Sequence, residues 1–193
     1  MKRMRNALFL TASLLAAVSA VAQEGGAAPA APASPWPANV TEVKVEKGKT
    51  ASVKGSLDKG AVVEDLTWAA NSSVACFPAT QNERFRGNHV FYATQIPPKS
   101  IMKITVVPDD PKADMSIYAY TVGTTNYALP PKLSSVVSCE AEHKWDRPKK
   151  GKTQDHTRTV QLNAVGNPYN VVIAVAGPKD VKAGSYTLNI ELQ

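Results

Sequence analysis

The chain has 193 residues, of which 44% are hydrophobic and 20% are charged, a composition that suits one folded domain. It carries 22 basic and 16 acidic side chains; three of the basic ones lie within the first five positions, so the rest of the chain has 19 − 16 = +3. A charge this mild argues against nucleic acid as a partner, because nucleic-acid-binding proteins concentrate basic residues on one face.

The first 22 residues have the pattern of a secretory signal peptide. A basic start is followed by an apolar run over residues 7–18 and by the small-residue ending Ala20-Val21-Ala22. The run is shorter than the roughly 20 apolar residues that span a bilayer, which disfavours a transmembrane anchor. We therefore predict cleavage before Gln23, a periplasmic or secreted protein, and no membrane span after signal removal.

An Ala/Pro-rich segment follows, over residues 23–38, in which Ala, Pro and Gly predominate. Such a composition offers little apolar area to bury and is typical of linkers. The remaining residues, 39–193, are long enough to form one domain with a sizeable core.

Within that domain, apolar and polar residues alternate with a period of two, which predicts β-strands rather than helices. Pro- and Gly-containing turn sequences separate the runs. The pattern predicts an all-β fold, a β-sandwich or jelly roll of about eight or nine antiparallel strands. The strand-like runs lie at residues 43–46, 51–54, 89–92, 101–107, 114–120, 157–162, 169–176 and 186–191.

Two cysteines, Cys76 and Cys139, are separated by 63 positions. An exported protein matures in an oxidising compartment, where an even number of cysteines favours disulfide pairing. There is no Cys-x-x-Cys motif of the kind that binds metal or carries out redox chemistry. We therefore predict one Cys76–Cys139 disulfide.

The order of several short motifs resembles the bacterial pre-peptidase C-terminal (PPC) domain, over about two thirds of the chain that follows the signal peptide. The resemblance departs from the family pattern at Asn167-Pro168-Tyr169, where the family has Gly-x-Tyr, and at residues 76–87, which form an insertion. The matching segments are Gly55-Ser56-Leu57, then residues 89–92, 97–105, 109–118 and 171–175, and finally Gly184 and Tyr186-Thr187-Leu188.

This resemblance implies a secreted β-sandwich that assists secretion, stability or substrate attachment. Family members usually accompany peptidases, and this chain carries no peptidase segment, so a stand-alone role is expected. Some members hold calcium near acidic loops, which bears on the acidic turn of this chain.

That turn contains Asp109, Asp110 and Asp114, whose carboxylates are the hard oxygen ligands that Ca²⁺ prefers. Their spacing matches no strict calcium loop, and a Pro-Asp turn also forms without metal. We therefore treat the three residues as a candidate calcium site, the alternative being a solvated acidic turn. No other cofactor is expected.

A basic run surrounds an aromatic residue near position 145. Cationic side chains around an aromatic ring can bind an anionic glycan or an acidic protein surface, although many charged runs are only solvated surface. The candidate binding residues are Lys144, Trp145, Arg147, Lys149, Lys150, Lys152 and Arg158.

No catalytic motif is present, neither a Gly-x-Ser-x-Gly elbow, nor a His-Glu-x-x-His metal site, nor a phosphate-binding loop. We therefore expect no catalytic residues and an exported binding or accessory module, whose partner is a protein or polysaccharide of the cell surface. Two alternatives remain: a structural subunit of the envelope or matrix, and a hydrolase with an unrecognised site.

Overall fold

The computed structural model describes residues 34–193, so the predicted signal peptide and most of the predicted linker lie outside the described residues. Short 3-10 turns lie at Leu57–Lys59, Thr67–Ala70 and Ala79–Arg84. The strands are β1 (Val40–Glu42), β2 (Thr50–Ser56), β3 (Ala61–Val62), β4 (Asn88–Ile96), β5 (Ser100–Pro108), β6 (Ser116–Val122), β7 (Ser138–Glu142), β8 (Arg158–Ala164), β9 (Tyr169–Ala176) and β10 (Ser185–Leu192).

The strands form two sheets, which confirms the predicted all-β sandwich. The larger sheet has the order β1-β4-β9-β6-β7, with β3 also paired to β4, and the smaller sheet has the order β2-β10-β5-β8. All pairs of named strands are antiparallel except β1 with β4, which is parallel. No helix of residues 34–193 has both the length and the apolar character needed to cross a membrane.

The strand count differs from the prediction because short strands leave little periodicity to detect. Residues 34–193 contain ten strands, not eight or nine. The additional ones include β3, with two residues, and β7, whose five residues include Glu140 and Glu142. The predicted strand at residues 43–46 is wrong: β1 ends at Glu42, and the chain then crosses to the smaller sheet. Val43 donates its backbone N–H to the Ala93 carbonyl at 2.8 Å before the crossing.

The main core lies between the two sheets and follows the predicted alternation. Ile117 and Ala119 of β6 face it from the larger sheet, while Ile104 and Leu188 face it from the smaller sheet, and all four are fully buried. Burying a large apolar side chain contributes about 1.5–3 kcal/mol, so this layer contributes strongly to the stability of the fold.

A second core covers the outer face of the larger sheet, which a simple two-layer sandwich would leave exposed. Tyr118 and Tyr120 project from β6 on this side, and both are completely buried. Residues 63–85 and 128–136 cover them; we call these two segments the cap. The Tyr120 hydroxyl donates a hydrogen bond to the Ala128 carbonyl of the cap at 2.8 Å. The central strands β6 and β9 are therefore buried on both faces.

The predicted disulfide is present, and it belongs to this second core. It joins Cys76 of the cap to Cys139 of β7, with 4.9 Å between the Cα atoms. The bond therefore fastens the cap to the larger sheet and does not link the two sheets. In the chain-entropy model, closing a loop of 63 residues stabilises the folded state by about 4 kcal/mol.

Candidate functional site

The predicted basic run lies in the connection between β7 and β8, residues 143–157, at one corner of the larger sheet. Both flanking strands end their sheets, β7 in the larger and β8 in the smaller, so the connection projects from the side of the sandwich. We call residues 144–152 the cationic loop. Its tip is a tight turn in which Lys152 donates its N–H to the Lys149 carbonyl at 3.1 Å, with Gly151 at a φ of 70°.

Several contacts hold the loop in place while its charges stay exposed. The backbone N–H of Trp145 donates to Gln154 Oε1 at 2.6 Å, and Arg84 of the cap forms an ion pair with Asp146. Lys149 Nζ lies 4.1 Å from the centre of the Trp145 ring, a cation–π contact. Four cationic side chains of the loop are exposed, namely Arg147, Lys149, Lys150 and Lys152, while Lys144 and Trp145 are half-buried.

Arg158 does not share the exposed surface of the loop. It begins β8 with only 1% of its side chain exposed, and its Nη2 lies 3.6 Å from Asp114 Oδ1. Burial lowers the pKa of the Arg158 guanidinium, and the carboxylates of Asp114 and Glu142 oppose that shift. The Arg158 guanidinium is therefore buried beside Asp114, where an external partner would not contact it.

The same contacts separate Asp114 from the rest of the predicted calcium turn. Its Oδ1 also lies 3.4 Å from His156 Nδ1, so two basic groups already face this carboxylate. Asp110 is exposed and accepts the Lys112 N–H at 2.9 Å, and Asp109 is exposed at the end of β5. Within residues 34–193, no group of three or more His, Cys, Asp or Glu side chains is arranged to hold a metal ion. Calcium binding here stays a prediction.

One histidine, His89, is buried beside the aromatic residues of the second core. His89 of β4 is 2% exposed, packs 5.8 Å from the Tyr118 ring, and places Nδ1 3.1 Å from the Gly87 carbonyl. Burial lowers the pKa of His89 from 6.5 to about 4, although the Gly87 contact favours the protonated form. The imidazole is therefore neutral near pH 7 and acts as part of the core packing.

Sequence reasoning did not anticipate a groove at the opposite corner of the larger sheet. The groove has a volume of about 530 Å³ and lies beside the end of β1, where the chain stops pairing with β4. Trp36 and Tyr127 meet edge to face beside it, with 4.9 Å between ring centres. The one signal in the sequence is Trp36, an aromatic residue between Pro35 and Pro37 in the predicted linker.

No known family model matches the chain, and no curated protein sequence matches it. The resemblance to the PPC domain is therefore not confirmed. Among solved structures, the chain is similar to PliG of Aeromonas hydrophila, a periplasmic lysozyme inhibitor of g-type lysozyme. The two share 12% identity, with a TM-score of 0.42 over 80% of this chain and 96% of that chain. A likeness at this level does not assign a family or a function.

Proposed function

We propose that this protein is an exported, non-catalytic binding module that contacts an anionic protein or polysaccharide of the cell envelope through its cationic loop. The observation that carries the proposal is the group of four exposed cations on one loop, fixed in place by the Trp145–Gln154 hydrogen bond and the Arg84–Asp146 ion pair. A surface that is already ordered loses less conformational entropy on binding.

The loop chemistry favours an anionic partner. The exposed lysines and Arg147 supply charge, while Trp145 provides an aromatic surface beside them. Its indole N–H is buried and has no hydrogen-bond partner among residues 34–193. A small rearrangement of the loop would let this group donate to an acceptor on the partner.

The export half of the proposal rests on two observations. The first 22 residues have the basic, apolar and small-residue pattern of a signal peptide. The Cys76–Cys139 bond is the kind of disulfide that persists in oxidising compartments and is rare in the cytosol.

The test measures binding of the purified protein to two immobilised polyanions, polyglutamate and polygalacturonate, and to the envelope fraction of the source organism. The triple variant Lys149→Gln/Lys150→Gln/Lys152→Gln should bind about tenfold more weakly at low salt, since three exposed contacts contribute roughly 0.5 kcal/mol each. The difference should shrink at high salt, which screens exposed charges.

The matched control neutralises three exposed lysines elsewhere, Lys54, Lys99 and Lys132. It removes the same charge but leaves the cationic loop intact, so it should bind nearly as well as the unmodified protein. Equal binding by the loop variant and the control would refute the proposal.

A further inference from the structure

The groove beside Trp36 opens where β1 stops pairing with β4. The register of β1 on β4 ends at Glu42 opposite Ala93, whereas β4 continues to Ile96 along its other neighbour, β9. The chain then diverges from β4, and the groove lies between residues 44–46 and the last part of β4. Among residues 34–193, about 10 Å of the β4 edge is therefore left without a neighbouring strand on this side.

This stretch of edge presents backbone hydrogen-bonding groups to the groove. The Ala93 carbonyl accepts the Val43 N–H at 2.8 Å, so the backbone groups of Ala93 point towards the β1 side. Backbone groups alternate in direction along a strand, so Gln95, two residues later, points its N–H and C=O to the same side. One main-chain donor and one main-chain acceptor thus face a gap that no strand of residues 34–193 fills.

Hydrogen bonds and aromatic packing hold the walls of the groove in place. The Asn170 side chain accepts the Gln95 Nε2 at 3.2 Å and donates to the carbonyls of Thr124 and Asn126 at 3.1 Å. These bonds fix the segment that carries Tyr127, whose ring meets that of Trp36 edge to face. A site formed before binding loses less conformational entropy when a partner arrives.

The charges around the groove balance. Glu42, Lys44 and Glu46 line it, and Glu46 is ion-paired with Lys49 at 2.5 Å. Two carboxylates are therefore matched by two ammonium groups. This balance favours an uncharged occupant over a cationic or an anionic one.

We propose that the groove binds an extended, uncharged peptide segment of a partner protein, which lies along β4 beyond the end of β1 and exchanges main-chain hydrogen bonds with Gln95. Adding a strand to an exposed sheet edge is a recurrent mode of peptide recognition, in which main-chain bonds supply affinity and side-chain pockets supply specificity. A proline or aliphatic side chain of the peptide would contact the rings of Trp36 and Tyr127. The volume of about 530 Å³ lies within the range of ligand-binding pockets.

This inference goes beyond the proposed function, because it concerns a second surface that needs no charge. Peptide binding should survive the triple variant of the cationic loop, Lys149→Gln/Lys150→Gln/Lys152→Gln. It should also be insensitive to salt, which screens the polyanion contacts of the loop. Loss of peptide binding with polyanion binding intact would refute this inference alone, and the converse would refute the proposed function alone.

The probes are random peptides displayed on phage and selected against the immobilised protein, then titrated as synthetic peptides. The enriched sequences should be uncharged and should alternate apolar with polar residues, because successive side chains of an added strand point to opposite faces. A selection that enriches no peptide overturns the inference.

Two substitutions of Gln95 separate main-chain from side-chain recognition. Gln95→Pro removes the N–H that faces the groove and leaves the hydrogen bonds between β4 and β9, as proline at a sheet edge does. It should weaken peptide binding about tenfold, because a peptide carbonyl loses its donor. Gln95→Ala is the matched control: it keeps the N–H and removes only the side-chain amide, so it should bind as tightly as the unmodified protein. Equal affinities of all three proteins would contradict the inference.

A neutral oligosaccharide is the rival occupant, since aromatic rings and side-chain amides also bind sugars. A sugar would use the Gln95 amide group, so its binding should fall equally in Gln95→Ala and Gln95→Pro. Binding of chitotetraose or maltotetraose with that pattern would overturn the peptide assignment.

Hydrogen exchange of the unmodified protein tests the same contact without relying on the folding of Gln95→Pro. An enriched peptide should slow exchange of the Gln95 backbone N–H about tenfold or more, because a main-chain hydrogen bond protects the amide. The Gly123 amide, outside the groove, is the internal control and should not change. Unaltered exchange at Gln95 with bound peptide would show that the peptide does not pair with β4.

Discussion

The hydroxyl oxygens of Tyr92 and Tyr186 lie 3.0 Å apart in the main core and join the two sheets directly. Tyr92 belongs to β4 of the larger sheet and Tyr186 to β10 of the smaller sheet, and burial raises the pKa of both phenols. Each hydroxyl therefore has its partner on the opposite layer, and the pair helps to set how the sheets face each other.

Removing both members of the Tyr92–Tyr186 pair should cost less than the sum of the two single removals. In Tyr186→Phe the Tyr92 hydroxyl loses its partner, and the free energy of unfolding should fall by about 1–2 kcal/mol. The double variant with Tyr92→Phe leaves no orphaned hydroxyl, so its loss should be smaller than the sum of the single losses. Urea unfolding of the four proteins measures this coupling; strictly additive losses would contradict it.

A methyl group at Gly55 should disturb the same pair. A Cβ atom there would lie 2.6 Å from the Tyr186 ring and even closer to the Tyr92 hydroxyl, which forces the neighbours to move. We expect Gly55→Ala to lower the free energy of unfolding by about 1–3 kcal/mol, the usual cost of overpacking. Gly123→Ala is the matched control, because its Cβ would meet nothing within 4 Å. Similar thermal midpoints for the two variants would contradict the packing argument.

Stability should depend on pH through His89. The unfolded imidazole takes up a proton near pH 6.5, whereas the folded one does so only near pH 4. Between these values the unfolded chain binds more protons, so stability rises with pH; the contribution is complete above pH 6.5 and is lost as the pH falls towards 4. The loss amounts to roughly 3 kcal/mol.

The measurement for His89 is urea unfolding from pH 4 to 8, in the unmodified protein and in His89→Phe. The variant keeps an aromatic ring in the second core and has no imidazole to protonate. Its stability should change less over this range, and the difference between the two curves isolates His89 from the carboxylates. Parallel curves would show that His89 takes up its proton equally in both states.

Arg158 should matter for folding, in contrast to the exposed cations of the loop. Arg158→Met leaves Asp114 beside His156 without its guanidinium neighbour, and breaking a buried ion pair costs about 3 kcal/mol. Lys152→Met, at an exposed position, should change stability by less than about 0.5 kcal/mol. Chemical unfolding compares them, and equal stabilities would show that the Arg158–Asp114 contact contributes nothing.

The architecture was predictable where side chains alternate on long strands. The alternation around Ile117 and Leu188 predicts the main core correctly, and the apolar run of β9 is buried on both faces as its composition suggests. The parallel pairing of β1 was not predictable, because three residues carry no periodicity. The cap was also hidden, since its apolar residues lie in irregular segments and 3-10 turns.

The candidate site was predictable only in part. A run of lysines around Trp145 identifies a cationic loop, but proximity in sequence also grouped Arg158 with it. Position 158 opens a strand whose alternate side chains point inward, so its burial follows from strand register and not from local composition. The groove beside Trp36 and Tyr127 combines residues near positions 36, 42–46, 95 and 127, which only the folded topology brings together.

Because the Cys76–Cys139 bond ties the cap to β7, reducing it should loosen the cap without disturbing the two sheets. A reduced chain would retain the main core between the two sheets, because neither cysteine belongs to it. The cap would then be held to the larger sheet by apolar contacts alone. Trp68 lies within the cap and the Tyr92–Tyr186 pair lies outside it. The fluorescence of Trp68 would therefore report the maturation of the cap separately from the packing of the two sheets against each other.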